Sequence, residues 1–194
     1  EAREVSINGV PVVGDIELFA QALETLRTSG AGVRAPRVMA ITGTNGKSTT
    51  TVMTYLCLVA AGERAVLCGN IYGSGYDEVP LTEAAASAGA TDVLVAEISS
   101  FQLEWVSQFR PVAAGITNIT PDHLNRYGGD FGAYARTKMR IFAAQGRNDF
   151  AVVRAGDPVV EAPRGMGCPR VLTFGVGGEH AKLRPDRLEA LGRG

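Results

Sequence analysis

The chain has 194 residues, 45% of them hydrophobic, with 19 Lys plus Arg against 20 Asp plus Glu and a formal net charge of −1. That balance carries no electrostatic footprint for DNA, RNA or an anionic membrane, and no run approaches the ~18 apolar residues of a membrane helix. The 24 glycines and 9 prolines fall short of the roughly 25–30% of a low-complexity chain, so the expectation is a globular domain long enough to bury its own core.

In chain order, Glu1-Ala2-Arg3-Glu4 has no apolar signal core, so nothing argues for secretion, and the expected location is cytoplasmic. A start without Met reads as a fragment or a processed piece. Val10-Pro11-Val12-Val13 is a short extended piece, and Asp15 is the expected N-cap of an apolar-periodic helix from Ile16 to Leu26. Residues 29–36 have the small, turn-prone composition of a linker. From Arg37 short β-branched runs alternate with helical stretches, the signature of βαβ units on a parallel sheet. Strands are expected over 38–42, 65–68, 92–97, 112–117, 150–153 and 171–174, and helices over 48–61, 82–88 and 131–143. The fold class is α/β, a mostly parallel sheet flanked by helices. The tail after Gly175 reads as an unfinished domain, and His180 within it is given no role. Cys57, Cys68 and Cys168 are too few and wrongly spaced for a disulfide framework or a zinc site; they read as small hydrophobes in a reducing compartment.

The strongest local signal is Gly43-Thr44-Asn45-Gly46-Lys47-Ser48-Thr49, placed where a strand ends and a helix begins. Such a loop aims backbone N–H groups and a helix N-terminus at one spot, which favours a phosphate. Gly43 and Gly46 allow close approach, Lys47 supplies a point charge, and the Ser48 or Thr49 hydroxyl can ligate Mg²⁺. The general P-loop pattern wants a glycine where Ile41 stands, so this is a tighter variant. The expected ligand is a nucleoside triphosphate. A guanine-reading Asn-Lys-x-Asp is absent from the sequence.

Ligands of open α/β sheets sit outside the carboxyl ends of the strands, and here those ends are polar. Glu97 closes one strand and suits Mg²⁺ as a hard oxygen ligand. Asn118 closes another, followed by Thr120-Pro121-Asp122-His123, where Pro121 is expected in the first turn of a helix. Asp122 and His123 then stand close to the phosphates. Asn70 closes a third strand and could donate to a substrate oxygen. Tyr134 and Lys138 share a helix face, and by spacing alone Lys138 reads as a solvated surface charge.

Taken in order, Gly43 to Thr49, Gly69-Asn70-Ile71, Glu97-Ile98-Ser99-Ser100-Phe101-Gln102-Leu103-Glu104, Asp122-His123-Leu124-Asn125-Arg126-Tyr127 and Tyr134-Ala135-Arg136-Thr137-Lys138-Met139-Arg140-Ile141 resemble the ATP-dependent Mur ligase family. The resemblance spans about residues 9–175. It implies a P-loop NTPase-like central domain over 37–194, incomplete and without a C-terminal domain, preceded over 1–36 by the end of an N-terminal UDP-binding domain and a linker. It implies that Gly43, Thr44, Asn45, Gly46, Lys47, Ser48 and Thr49 hold ATP, and that Ser48 and Glu97 ligate one Mg²⁺ and His123 a second. Lys138 matches the family's carbamylated lysine, an anion serving the second metal, and with Lys47 and His123 forms the implied catalytic set. Asn70, Ser99 and Gln102 match positions facing the muramoyl substrate.

The Glu-x-Ser-Ser-Phe-Gln-Leu stretch is similar to family members that join D-glutamate to UDP-N-acetylmuramoyl-L-alanine through an acyl phosphate in peptidoglycan precursor synthesis. Another Mur-type amino-acid ligase, or a non-catalytic ATP-binding module, stays open as the alternative. Nucleic acid and membrane insertion are not expected.

Overall fold

The computed structural model describes residues 5–8, 10–28, 35–87 and 92–175. The expected linker residues 29–34 and the tail from 176 onward, His180 included, lie outside the described residues. A two-stranded antiparallel hairpin, β1 (Val5–Ile7) and β2 (Val10–Val12), leads into the helix α1 (Asp15–Thr28). The rest is built on six parallel strands: β3 (Arg37–Thr42), β4 (Ala65–Gly69), β5 (Val93–Glu97), β6 (Ala113–Ile116), β7 (Phe150–Arg154) and β8 (Arg170–Phe174). Their order is β4-β5-β3-β6-β7-β8. The chain leaves central β3 for one side of the sheet, returns, and then builds the other side, so the carboxyl ends of β5, β3 and β6 frame a crevice at a topological switch point.

Strand alternation divides the core in two. Val38 and Ala40 of β3 and Leu94 and Ala96 of β5 join the larger cluster, which receives Ile16, Phe19, Ala20 and Leu23 from α1. The helices α3 (Leu81–Ser87), α4 (Ser100–Leu103) and α5 (Phe131–Met139) add Leu81, Ala84, Leu103, Tyr134 and Ala135 to the same cluster. Ile41, Val93 and Val95 face the other way, with Tyr55 and Leu58 of α2 (Lys47–Ala60) packed against them. All five residues of β5 are buried, as a strand covered on both faces should be. Beyond α2 that second face opens into an apolar groove of about 420 Å³ lined by residues such as Met39, Thr54, Gly115, Val152 and Phe174, with no charged side chain.

The expected strands and helices stand with ends shifted by one or two residues, with exceptions that have physical causes. The helix foreseen over 131–143 stops at Met139 and tightens into a 3₁₀ turn over Arg140–Phe142. Pro121 does not open a helix: a 3₁₀ turn over Leu124–Tyr127 forms instead, preceded by His123 in a left-handed conformation. Asp15 lies inside the first turn of α1, and its carboxylate accepts a hydrogen bond from Gln102 Nε2 at 3.4 Å. The short α4 is additional to the expected helices, and its capping box is written in the sequence: Ser99 and Gln102 satisfy each other's backbone N–H. Among the described residues no helix is long and apolar enough to cross a membrane.

Candidate functional site

The phosphate-type loop sits between β3 and α2 because two glycines permit it. A Cβ at Gly43 would come within 1.9 Å of Thr117 Oγ1, and Gly46 turns the chain at φ 76°. Gly46 offers no side-chain cap, and the first turn of α2 contains no acid. Its leading N–H groups and the positive end of the helix dipole therefore remain uncompensated. Lys47 Nζ folds back to donate to Thr44 O at 3.0 Å.

The segment after β6 grips this loop from the side. Asn118 accepts from Asn45 N at 3.0 Å through Oδ1 and donates from Nδ2 to Asn45 O at 2.9 Å. Its carbonyl accepts from Thr44 N at 2.8 Å, and Thr117 Oγ1 donates to Asn45 O at 2.8 Å. Thr44 Oγ1 accepts from Thr120 N at 3.0 Å and lies 3.1 Å from the buried Tyr134 hydroxyl. Thr117, Thr120 and Tyr134 were not singled out as site residues by sequence. Their roles depend on contacts of 72 to 90 residues' separation, for which no local pattern exists.

Glu97 ends β5 between β4 and β3, opposite Gly69 and Ile41. It is 1% exposed; Oε1 stands 3.5 Å from Asn70 Nδ2, whereas Oε2 is buried with no hydrogen-bond partner. A buried carboxylate oxygen without a partner is costly, and a cation in the crevice is the natural complement. Ser48 is half-buried at the start of α2. Among the described residues no group of three or more His, Cys, Asp and Glu is arranged to hold a metal ion. A Mg²⁺ here fits the pattern in which one or two protein oxygens share the ion with phosphates and waters.

Lys138 is 2% exposed, which corrects its expected place as a solvated surface charge. Tyr134 and Lys138 do share a face of α5, but it is the inward one. Lys138 Nζ donates to Gly43 O at 2.7 Å and stands 4.9 Å from the Tyr134 ring centroid. Burial, reinforced by the charge of Lys47, lowers its pKa to about 8; the opposing pull of Asp122 and Glu97 is smaller. His123 and Asp122 are exposed at the rim, with His123 Nε2 3.6 Å from Asp122 Oδ2. Ser99 and Gln102 commit much of their polarity to each other, Gln102 Oε1 accepting from both Ser99 N and Oγ at 3.0 Å. Asn70 is exposed beside Glu97.

The crevice thus gathers an uncapped helix N-terminus, two lysines, a buried carboxylate and a rim histidine, an arrangement suited to holding a polyphosphate and neutralising its charge. Known proteins with this chain's pattern agree in fold and in sequence. Its fold is similar to that of a MurF ligase from Thermotoga maritima in complex with ADP, with a TM-score of 0.59 and 23% identity over 90% of this chain and 40% of that one. It is also similar to the UDP-N-acetylmuramate-alanine ligase MurC from Thermotoga maritima, with a TM-score of 0.52 and 25% identity over 82% of this chain and 31% of that one. In sequence it is 45% identical to a UDP-N-acetylmuramoylalanine--D-glutamate ligase of Burkholderia thailandensis, over 96% of this chain and 36% of the relative. A namesake from Burkholderia mallei is 44% identical over the same shares. The chain therefore spans about a third of the length of these curated relatives. The family profile of the Mur ligase middle domain matches residues 41–193, from the last residues of β3 through the loop, Glu97, His123 and Lys138, and the chain belongs to that family.

Proposed function

We propose that this chain is the ATP-binding middle domain of a cytoplasmic ligase that joins D-glutamate to UDP-N-acetylmuramoyl-L-alanine. Residues 37–194 would form that domain, and residues 1–36 the end of an N-terminal UDP-binding domain with its linker. The name carried by the relative at 45% identity supports the substrate pair. The observation that carries the nucleotide reading is the uncapped N-terminus of α2 with Lys47, which follows β3, together with the partnerless buried oxygen of Glu97 at the end of the paired strand β5.

In the proposed reaction the carboxylate of the muramoyl substrate attacks the γ-phosphorus of ATP, giving an acyl phosphate and ADP. The amine of D-glutamate then displaces inorganic phosphate to form the amide. Gly43 to Thr49 would wrap the phosphates with backbone N–H groups, and Lys47 would leave Thr44 O for them. Ser48 and Glu97 would hold one Mg²⁺ and His123 a second, the ions supplying charge neutralisation of the phosphates when bound. Asn70, Ser99 and Gln102 would line the approach of the muramoyl substrate. Lys138 would act as a carbamate: its amine, neutral more readily than an ordinary lysine because of burial, adds to CO₂, forming an N–C bond and releasing one proton. The product would be an anion where a protonated lysine would otherwise carry positive charge, and it would serve the second ion.

The test is phosphate release by the full-length polypeptide containing this chain, given MgATP and UDP-N-acetylmuramoyl-L-alanine with and without D-glutamate. Release that requires D-glutamate is expected. Release only with another amino acid would change the substrate and keep the ligase. Bound MgATP with no release under any amino acid would leave a nucleotide-binding module.

A further inference from the structure

α4 turns Ser100 and Leu103 into the core, 3% and 0% exposed, and leaves Phe101 outside it at 39%. The outward ring is nevertheless engaged. The His123 imidazole packs against it with centroids 5.1 Å apart and planes at 55°, and the Arg126 guanidinium stands 4.8 Å from its centroid. Arg126 is gripped in turn by both oxygens of buried Glu104, at 2.7 and 3.0 Å, a bidentate geometry that fixes the guanidinium plane. Arg126 N also donates to His123 O at 3.0 Å, closing the bracket through the main chain.

His123 is held in a costly backbone conformation within this bracket. Its φ of 49° and ψ of 26° are left-handed, unusual for a residue with a side chain, and its N–H donates to Asp122 Oδ1 at 2.8 Å. Strain of this kind persists where the surroundings over-determine it. Here they fix the backbone through Asp122 and Arg126 and one side of the ring through Phe101, while Nε2 stands 3.6 Å from Asp122 Oδ2 at the exposed rim. Phe101 also leaves the same strand end as Glu97, so one short segment sets both candidate cation ligands.

We infer that Phe101 is a positioning residue for His123: its ring, held under Arg126 by Glu104, presents the imidazole to a divalent cation in one orientation. This rests on the proposed role of His123 as a ligand. Groups that orient a metal-binding histidine typically change metal affinity or activity about 10- to 100-fold when removed.

The experiment uses the full-length polypeptide and reads Mn²⁺ binding in the presence of ADP by electron paramagnetic resonance, together with the Mg²⁺ dependence of phosphate release. Phe101→Ala is expected to weaken the Mn²⁺ site that His123→Ala also weakens, by about tenfold, and to raise the Mg²⁺ requirement while leaving the KM for ATP at saturating Mg²⁺ unchanged. Phe101→Tyr should restore both. Arg126→Gln should give a smaller loss in the same direction, and Phe101→Ala combined with His123→Ala should be no worse than His123→Ala alone. Imidazole NMR signals of His123 in the metal-free protein should lose their ring-current shift in Phe101→Ala. Wild-type Mn²⁺ affinity in Phe101→Ala beside a loss in His123→Ala would overturn the inference alone. Wild-type affinity in His123→Ala would overturn the ligand reading and this inference with it. A loss in Phe101→Ala that Phe101→Tyr does not restore would also overturn it.

Discussion

Lys138 Nζ and the carbonyl of Gly43, 95 residues apart in sequence, meet in a buried 2.7 Å hydrogen bond. Through it α5 reaches the first residue of the phosphate-type loop, and a lysine is kept where solvent cannot stabilise its charge. Its pKa of about 8 lies below that of the same side chain in the unfolded chain, so between about pH 8 and the ordinary lysine range the unfolded state binds more protons. Stability contributed by this group is therefore least below pH 8 and rises as pH climbs through that window. In CO₂-free buffer, the stability difference between wild type and Lys138→Met should move in favour of wild type from pH 8 to 10, read from denaturant midpoints. With ¹³C-bicarbonate, a carbamate carbon signal should appear in wild type and be absent in Lys138→Arg.

Lys47 contributes charge at the loop rather than packing, being only half-buried and bonded to a single carbonyl. Lys47→Ala in the full-length polypeptide should lower ATP-dependent phosphate release by at least about 100-fold, the scale of removing one preorganised charge-stabilising donor. Its unfolding midpoint should stay within about 0.5 kcal/mol of wild type. Wild-type turnover in this variant would remove Lys47 from the phosphate site.

Gly43 is constrained by its neighbour rather than by the loop alone. A methyl group there would overlap Thr117 Oγ1, which itself donates to Asn45 O. Gly43→Ala should thus cost about 2–3 kcal/mol in stability and weaken nucleotide binding, because Thr117 must leave the loop it braces. Thr117→Ala should recover part of the stability in the double variant. A Gly43→Ala protein as stable as wild type would show that the loop adapts.

Glu17 decides how α1 docks. Its carboxylate is 3% exposed and accepts from Ser107 N at 2.7 Å and Gln108 N at 2.9 Å. Glu17→Ala leaves two backbone donors without a partner and should cost about 2–3 kcal/mol, the scale of hydrogen bonds to a charged acceptor. Hydrogen exchange should accelerate at Ser107, Gln108 and along α1 before the sheet is affected. Uniform acceleration would mean that α1 and the sheet open together.

Much of this protein follows from local sequence. The β-branched runs around Val38 and Val93, the turn chemistry of Gly43 and Gly46, and the polar residues closing each strand depend on backbone preference and side-chain period, which neighbours along the chain determine. The same holds for the capping box of Ser99 and Gln102, three residues apart. Tertiary structure decided what had no local signature. Lys138 reads as a surface charge by spacing and becomes a buried amine because α5 turns that face toward Gly43. Pro121 suits a helix start, yet Asp122 and Arg126 hold His123 in a left-handed turn. The brace of Thr117, Asn118, Thr120 and Tyr134 around the loop exists only because β6 pairs beside β3. Burial, charge proximity and shared hydrogen bonds are properties of packed neighbours, and they appear only once the sheet has brought distant residues to one edge.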